Sequence, residues 1–192
     1  MSIYGVGVMM VASASGRPPR APTVIVRTLN RRAPQGRVQV AGWSFRCAIG
    51  RTGCRILKRE GDGATPIGLF AVRAVLWRPD RSRPPRTAVP LRPLRPDDGW
   101  CDAVGDRNYN RAVRYPYPAS AEALWRDDPL YDLIVVLGAN DRPRIQGRGS
   151  AIFMHVARPD YTPTAGCIAL SRRDLCLVLG RLRRGARLAV PG

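Results

Sequence analysis

Short runs of branched and aromatic apolar residues, separated by loops rich in proline, glycine and arginine, constrain this chain more than any other feature. The runs are Thr23–Leu29, Val38–Phe45, Gly68–Trp77, Tyr131–Leu137, Ala151–Val156 and Ala186–Val190. β-Branched and aromatic side chains lose rotamer freedom in a helix and pack well on a pleated surface. Runs of this length bounded by turn formers predict strands. Gly61-Asp-Gly-Ala-Thr-Pro66 reads as a turn-rich loop. Residues 78–98, crowded with Pro and Arg and without periodicity, predict an exposed excursion. Trp100-Cys-Asp102 and Gly105–Arg111 read as loops.

Two segments predict helix. Ser171-Arg-Arg-Asp174 is a capping box, followed by Leu175, Leu177, Val178, Leu179 and Leu182 at helical spacing. Arg181, Arg183 and Arg184 then fall in the last turn, and Gly185 closes a helix over 171–184. Ser120–Trp125 predicts a second, short helix with Ser120 as N-cap. The fold class expected is mainly β and mostly antiparallel. It is a sandwich or half-open barrel with the C-terminal-region helix packed beside it.

The 192 residues suffice for one domain with a real core. Residues 15–22 are rich in Pro and Arg and read as a linker, so 1–22 is expected to be a flexible lead or a poor signal segment and 23–192 the folded domain. Ile3–Ala14 is apolar and ends in Ala12-Ser13-Ala14, like a small-residue cleavage site, but no Lys or Arg precedes it. No run of about 18 uncharged apolar residues exists, so no transmembrane helix is expected.

The net charge is +18, from 32 Lys+Arg against 14 Asp+Glu, and Lys58 is the only lysine. Codon bias explains Arg over Lys but not the excess of Arg over acid. An anionic environment is therefore expected. No helix-turn-helix, zinc-knuckle or aromatic-studded signature accompanies the charge, so a dedicated nucleic-acid site is not expected. The Arg-rich 78–95 stretch reads most simply as a solvated loop. The five cysteines, Cys47, Cys54, Cys101, Cys167 and Cys176, leave at least one thiol free. No pair has CxxC spacing and His155 is the only histidine, which argues against zinc. Cys47 and Cys54 are close enough in sequence to pair across a turn in an oxidising compartment, or to stay free. Cys101 and Cys176 read as structural.

His155 lies at the end of an apolar run. Twelve residues on, after Pro159, Asp160 and Pro163, comes Thr164-Ala-Gly-Cys-Ile-Ala-Leu170. A thiolate needs a nearby base or cation at neutral pH, and an imidazole on an adjacent strand can act as both. Gly166 permits a tight turn and close approach of a substrate backbone. The N–H groups of Gly166 and Cys167 can face a developing oxyanion, worth about 3–4 kcal/mol per donor where measured. By spacing alone, a structural His and a buried, inert Cys remain open.

The motifs add to this. Upstream His155, then Thr164-Ala-Gly-Cys-Ile168, resemble the L,D-transpeptidase catalytic domain of the YkuD type, marked by Ser/Thr-x-Gly-Cys and a following apolar residue. Lys58–Phe70, with its Thr-Pro-x-Gly-x-Phe run, resembles the family's stretch before its central strand. Trp100-Cys-Asp102 with Tyr109-Asn-Arg111, then the strand at 131–137, resemble a proteobacterial branch of that family. The likeness spans roughly 23–190. Ala165 stands where His or Arg is frequent, and Ala169 where Arg or Asn is. These departures bear on acceptor choice and rate more than on reaction class.

The resemblance implies a peptidoglycan acyl transfer. Cys167 would attack the bond after the third residue of a stem tetrapeptide, form a thioester and release D-alanine. An amine of another stem, or a lysine of an anchored outer-membrane protein, would accept the acyl group. His155 would take the thiol proton and later deprotonate the amine. Gly166 would be a backbone oxyanion donor, and Thr164, Trp100, Asp102, Tyr109 and Asn110 would bind substrate. No cofactor or metal is implied, carbapenems are expected to acylate Cys167, and a periplasmic location follows. Two rivals remain. One is a hydrolase with the same nucleophile, a carboxypeptidase or amidase. The other is a basic module binding wall or nucleic acid without catalysis.

Overall fold

The computed structural model describes residues 23–192. The lead expected over 1–22 lies outside the described residues. In chain order the strands are β1 (Thr23–Thr28), β2 (Gln35–Val40), β3 (Trp43–Ala48), β4 (Cys54–Arg55), β5 (Thr65–Pro66), β6 (Gly68–Trp77), β7 (Leu91–Pro93), β8 (Asp98–Cys101), β9 (Arg111–Arg114) and β10 (Ala121–Ala123). A 3₁₀ turn at Pro129–Tyr131 precedes β11 (Leu133–Leu137), β12 (Phe153–Val156) and β13 (Ile168–Leu170). Helix α1 (Arg172–Leu179) and β14 (Arg187–Val190) complete the chain.

The main sheet runs β11-β12-β13-β3-β2-β1-β14-β6, and β6 returns to β11, so the sheet closes into a barrel with β7 extending from β6. The length of β6 makes closure possible. Its first part, Gly68–Ala71, pairs with β14, and Val72–Trp77 pairs with β11. Closure removes the unpaired edges that would template aggregation. A smaller sheet, β10-β8-β9, is separate.

Five expectations are corrected. Trp100-Cys101 is not loop but the end of β8, paired with Glu122 and Ala121 on one side and with Ala112 and Arg111 on the other. Val38–Phe45 is not one strand but two, joined by Ala41 and Gly42 at φ 46° and 80°. Val40 then pairs with Trp43, which makes a two-residue hairpin with a left-handed turn. Ser120–Trp125 contains a strand, β10, not a helix. Ala121, Glu122 and Ala123 pair with Cys101, Trp100 and Gly99. A segment this short cannot sustain an isolated helix, and the edge of β8 satisfies its backbone instead.

The helix at 171–184 is real but shorter. Ser171 Oγ accepts from Asp174 N–H at 3.1 Å, as the capping box requires. The helix ends at Leu179 with Gly180 as C-cap, and Leu182 N–H turns back to Leu179 O. That tighter turn buries Leu182 completely and leaves Arg181, Arg183 and Arg184 beyond the helix. The excursion at 78–98 is not simply solvated. Leu91–Pro93 pairs with Val75–Trp77, and Val89 and Leu94 are buried. Arg78 is buried too, bonded to Asp80, with its guanidinium 3.8 Å from the centre of the Trp125 ring.

Two apolar clusters divide the interior. The larger takes alternate residues of the barrel strands, including Val24, Val38, Val135, Met154, Ile168 and Leu188, together with Leu175, Val178 and Leu179 of α1. The smaller takes the opposite face of β11 and β12, namely Ile134, Val136 and Phe153. Leu94, Leu124 and Tyr131 cover it, and Trp100 and Trp125 pack against it. The candidate site opens beside this second cluster.

Candidate active site

β12 and β13 are parallel, with Met154 opposite Ile168 and His155 opposite Ala169. Side chains alternate along a strand. Phe153, His155, Cys167 and Ala169 therefore share one face, with His155 diagonal to Cys167. His155 and Cys167 open onto one cavity of about 550 Å³. Its walls carry charge of both signs: Arg51, Lys58, Arg126 and Arg158, and against them Glu60, Asp102 and Glu122.

Cys167 is 9 % exposed. Its thiol donates to Ala151 O at 3.2 Å and accepts from Phe153 N–H at 3.4 Å. Burial, then the negative charge of Glu122, pushes the thiol up to about 12. His155 is 6 % exposed. Its Nδ1 lies 2.9 Å from Val156 O. A carbonyl only accepts, so Nδ1 carries the proton and Nε2 keeps its lone pair. Burial lowers the imidazole to about 4, against the opposing effect of the Val156 contact. Burial thus favours the neutral form of both thiol and imidazole. Tyr131 packs edge-on against the imidazole, with ring centres 5.2 Å apart at 72°. Its hydroxyl donates to Glu122 Oε1.

The turn before Cys167 is held from two sides. Thr164 Oγ1 accepts from Gly166 N–H at 3.1 Å and donates to Cys167 O at 2.6 Å. Thr65 Oγ1 donates to Gly166 O and accepts from Gly50 N–H, both at 2.9 Å. Gly166 has φ +146°, and a Cβ there would stand 2.8 Å from Ala64 O. Both facts demand glycine. The Gly166 N–H expected at an oxyanion is engaged by Thr164. Cys167 N–H makes no turn, loop or side-chain hydrogen bond among the described residues.

Of the residues expected to bind substrate, Thr164 and Asp102 line the cavity. Trp100, Tyr109 and Asn110 stand behind it. Trp100 packs edge-on against Phe153 at 5.1 Å. Asn110 Oδ1 accepts from Trp100 Nε1 at 3.0 Å and Ala151 N–H at 3.2 Å, which fixes the carbonyl that receives the Cys167 thiol. Tyr109 O–H donates to Glu60 Oε2, which also accepts from Ser150 Oγ at 2.9 Å. These three residues are supports for the wall rather than the wall itself. Sequence reasoning missed Tyr131, Glu122 and the Val156 carbonyl. Nothing in the local pattern of 120–131 marks Tyr131 and Glu122, because they meet the site only when the 3₁₀ turn packs on β12 and the Tyr131 hydroxyl reaches Glu122. Lys58 had a signal, as the only lysine. It is buried, bonded to Asp62 at 2.5 Å and to Arg59 O at 2.8 Å. The four cysteines Cys47, Cys54, Cys101 and Cys176 are free thiols, so Cys47 and Cys54 are not paired.

Among the described residues no helix is long and apolar enough to cross a membrane. The family model described as YkuD, L,D-transpeptidase catalytic domain, matches residues 23–190. No curated protein and no solved structure matches the chain. The match spans nearly all of the barrel and both motifs around His155 and Cys167, and the chain belongs to the YkuD family of L,D-transpeptidase catalytic domains, which are cysteine-dependent enzymes.

Proposed function

We propose that the protein is a peptidoglycan L,D-transpeptidase in which Cys167 is the nucleophile and His155 the base. The observation that carries this reading is the shared cavity face of Cys167 and His155, with the imidazole tautomer set by Val156 O. The Nε2 lone pair is the only one on that ring able to take a proton. As Sγ attacks the carbonyl after the third residue of the stem, its proton passes to Nε2. The proton then goes to the leaving D-alanine nitrogen, and a thioester remains on Cys167. Burial keeps the resting thiol protonated, so attack and proton transfer are coupled to substrate arrival. This limits reaction of the empty site with other electrophiles.

The walls suit such a substrate. A stem peptide carries carboxylates and, on its third residue, an amine. Arg51, Arg126 and Arg158 offer cations for the former. Cys167 N–H is the backbone donor we assign to the oxyanion, in place of Gly166 N–H. Acceptors would be an amine of a second stem or a lysine of a wall-anchored protein. The reading carries a location, the periplasm. Fusing residues 1–25 to a reporter active only after export tests it, and a reporter that stays inactive counts against it.

The reaction itself is tested by intact mass after incubation with a donor tetrapeptide or a carbapenem. The wild type should gain one adduct, and Cys167→Ala none, with both proteins equally folded. A folded wild type that gains no adduct from either compound refutes the reading.

A further inference from the structure

Cations outnumber acids in this chain by 32 to 14. An acid without a cation beside it is therefore the arrangement that needs explaining. Seven of the fourteen acids form ion pairs. Among the described residues, none of the three that line the cavity does: Glu60, Asp102 and Glu122. The nearest cation in sequence, Arg126, also lines the cavity but turns its guanidinium to Asp128 at 2.8 and 2.6 Å. Glu122 is held by the Tyr131 hydroxyl on Oε1, and no hydrogen bond reaches Oε2 among the described residues. Asp102 Oδ1 is buried without a partner. A half-buried carboxylate with an oxygen left without a partner costs free energy, and a fold with surplus arginine had the means to cover it.

The reaction has a use for such an anion. At neutral pH an acceptor amine arrives as an ammonium. To become an amide nitrogen it must lose two protons, one before attack and one as the tetrahedral intermediate collapses. His155 can handle one of them, returning it to the departing thiolate. The first needs a separate acceptor.

We propose that Glu122 supplies it: its carboxylate holds the acceptor ammonium and takes the surplus proton, which directs the thioester to an amine rather than to water. The inference rests on the acyl-transfer reading above. The ammonium gives one proton to Glu122 and becomes a neutral amine. Its nitrogen lone pair forms a bond to the thioester carbon as the carbonyl π pair moves onto oxygen, and that pair re-forms the carbonyl on collapse. On collapse the C–S bond breaks with its electron pair going to Sγ. His155 Nε2 removes the second proton from nitrogen and delivers it to Sγ. Glu122 later loses its proton to solvent. Asp102 contributes charge to the same wall.

Burial raises the Glu122 carboxyl above the usual carboxylate range, which suits a group that must accept and then release a proton. The ionisable groups that bear on Glu122 are Tyr131, Arg126, Asp102, Glu60 and Cys167. All of them remain in the isosteric variant Glu122→Gln.

The test measures how the thioester partitions between an added amine and water, for the wild type, Glu122→Gln and Asp102→Asn, from pH 7 to pH 10. Glu122→Gln should still form the thioester, which reports folding, and no slower than about a third of the wild-type rate, because removing the Glu122 charge eases loss of the Cys167 proton. Its ratio of aminolysis to hydrolysis at pH 7 should fall about tenfold or more. The ratio should recover toward wild type near pH 10, where the neutral fraction of a lysine-type amine has risen from about 0.04 % at pH 7 to about a quarter. Asp102→Asn should show a smaller drop. An unchanged ratio in Glu122→Gln overturns the proposal while leaving the acyl-transfer reading intact. A drop without recovery at high pH overturns the proton transfer. Absence of a thioester in the wild type removes the acyl-transfer reading itself.

Discussion

The β12–β13 pair has two faces, equally buried and differently employed. On one, Met154, Val156, Ile168 and Leu170 enter the main core at 6 % exposure or less. On the other, Phe153, His155, Cys167 and Ala169 are no more than 9 % exposed. Burial on the first face removes apolar surface from water and stabilises the fold by about 25 cal/mol per Å². The same burial on the second face falls on two ionisable groups and drives both to their neutral forms. One physical effect thus gives stability on one side of a strand and control of protonation on the other. The two are locked together, because a one-residue slip in register would exchange the faces.

The comparison breaks if the faces can be interchanged in their effects. The largest effect expected is on rate, from His155→Gln. The amide can still donate to Val156 O but cannot take a proton. Thioester formation, followed by intact mass, should slow by about 10²- to 10⁴-fold. Midpoints of denaturant unfolding at pH 7 should barely move. The partner experiment is Met154→Ala, one position before His155 on the same strand and on the opposite face. It should cost about 2–5 kcal/mol of stability through lost transfer energy and a cavity. Its thioester rate per folded molecule should stay within a few-fold of wild type. Equal destabilisation by both variants, or a folded Met154→Ala that has lost the reaction, would mean that the faces do not divide the work.

What the sequence made legible follows the same division. Strands buried on both faces, such as β11 and β12, announce themselves as unbroken apolar runs. Ser171 announces the helix start because its hydroxyl and the Asp174 N–H are local partners. The β2–β3 turn was hidden because Ala41-Gly42 is not a strong hairpin dipeptide, and only the pairing of Val40 with Trp43 reveals it. The Ala-Glu-Ala segment of β10 favours helix locally, and only the edge of β8, about twenty residues away, decides otherwise. In the candidate site, His155 was legible as the only histidine. Cys167 was legible because, of the two Gly-Cys pairs, only Gly166-Cys167 follows Thr-x and precedes an apolar run, whereas Gly53-Cys54 is followed by Arg55. Glu122, Tyr131 and the Val156 carbonyl were not, since nothing local distinguishes a glutamate that will stand unpaired from one that will be solvated.

The smallest effect expected comes from protonation, and it sharpens the comparison most. His155 titrates near 6.5 when unfolded and at about 4 when folded. Above pH 6.5 both states are neutral at this residue, and it contributes no pH dependence. As pH falls from 6.5 toward 4, the unfolded chain binds a proton that the folded one refuses, so stability is lost through that window, by up to about 3 kcal/mol. Below 4 both states are protonated and the loss levels off. Carboxylates such as Asp128, held low by the Arg126 hydrogen bonds, also lose stability in acid, but they do so in any variant that keeps them. The difference between wild type and His155→Gln therefore isolates the imidazole. Urea unfolding at pH 7, 6, 5 and 4 should find the two proteins diverging steadily, with the variant gaining relative to wild type as the pH drops. Parallel curves would mean that the imidazole is solvated in the folded protein. Burial would then not be what keeps it neutral, and the functional face of β12 would owe its chemistry to something other than the packing that stabilises the opposite face.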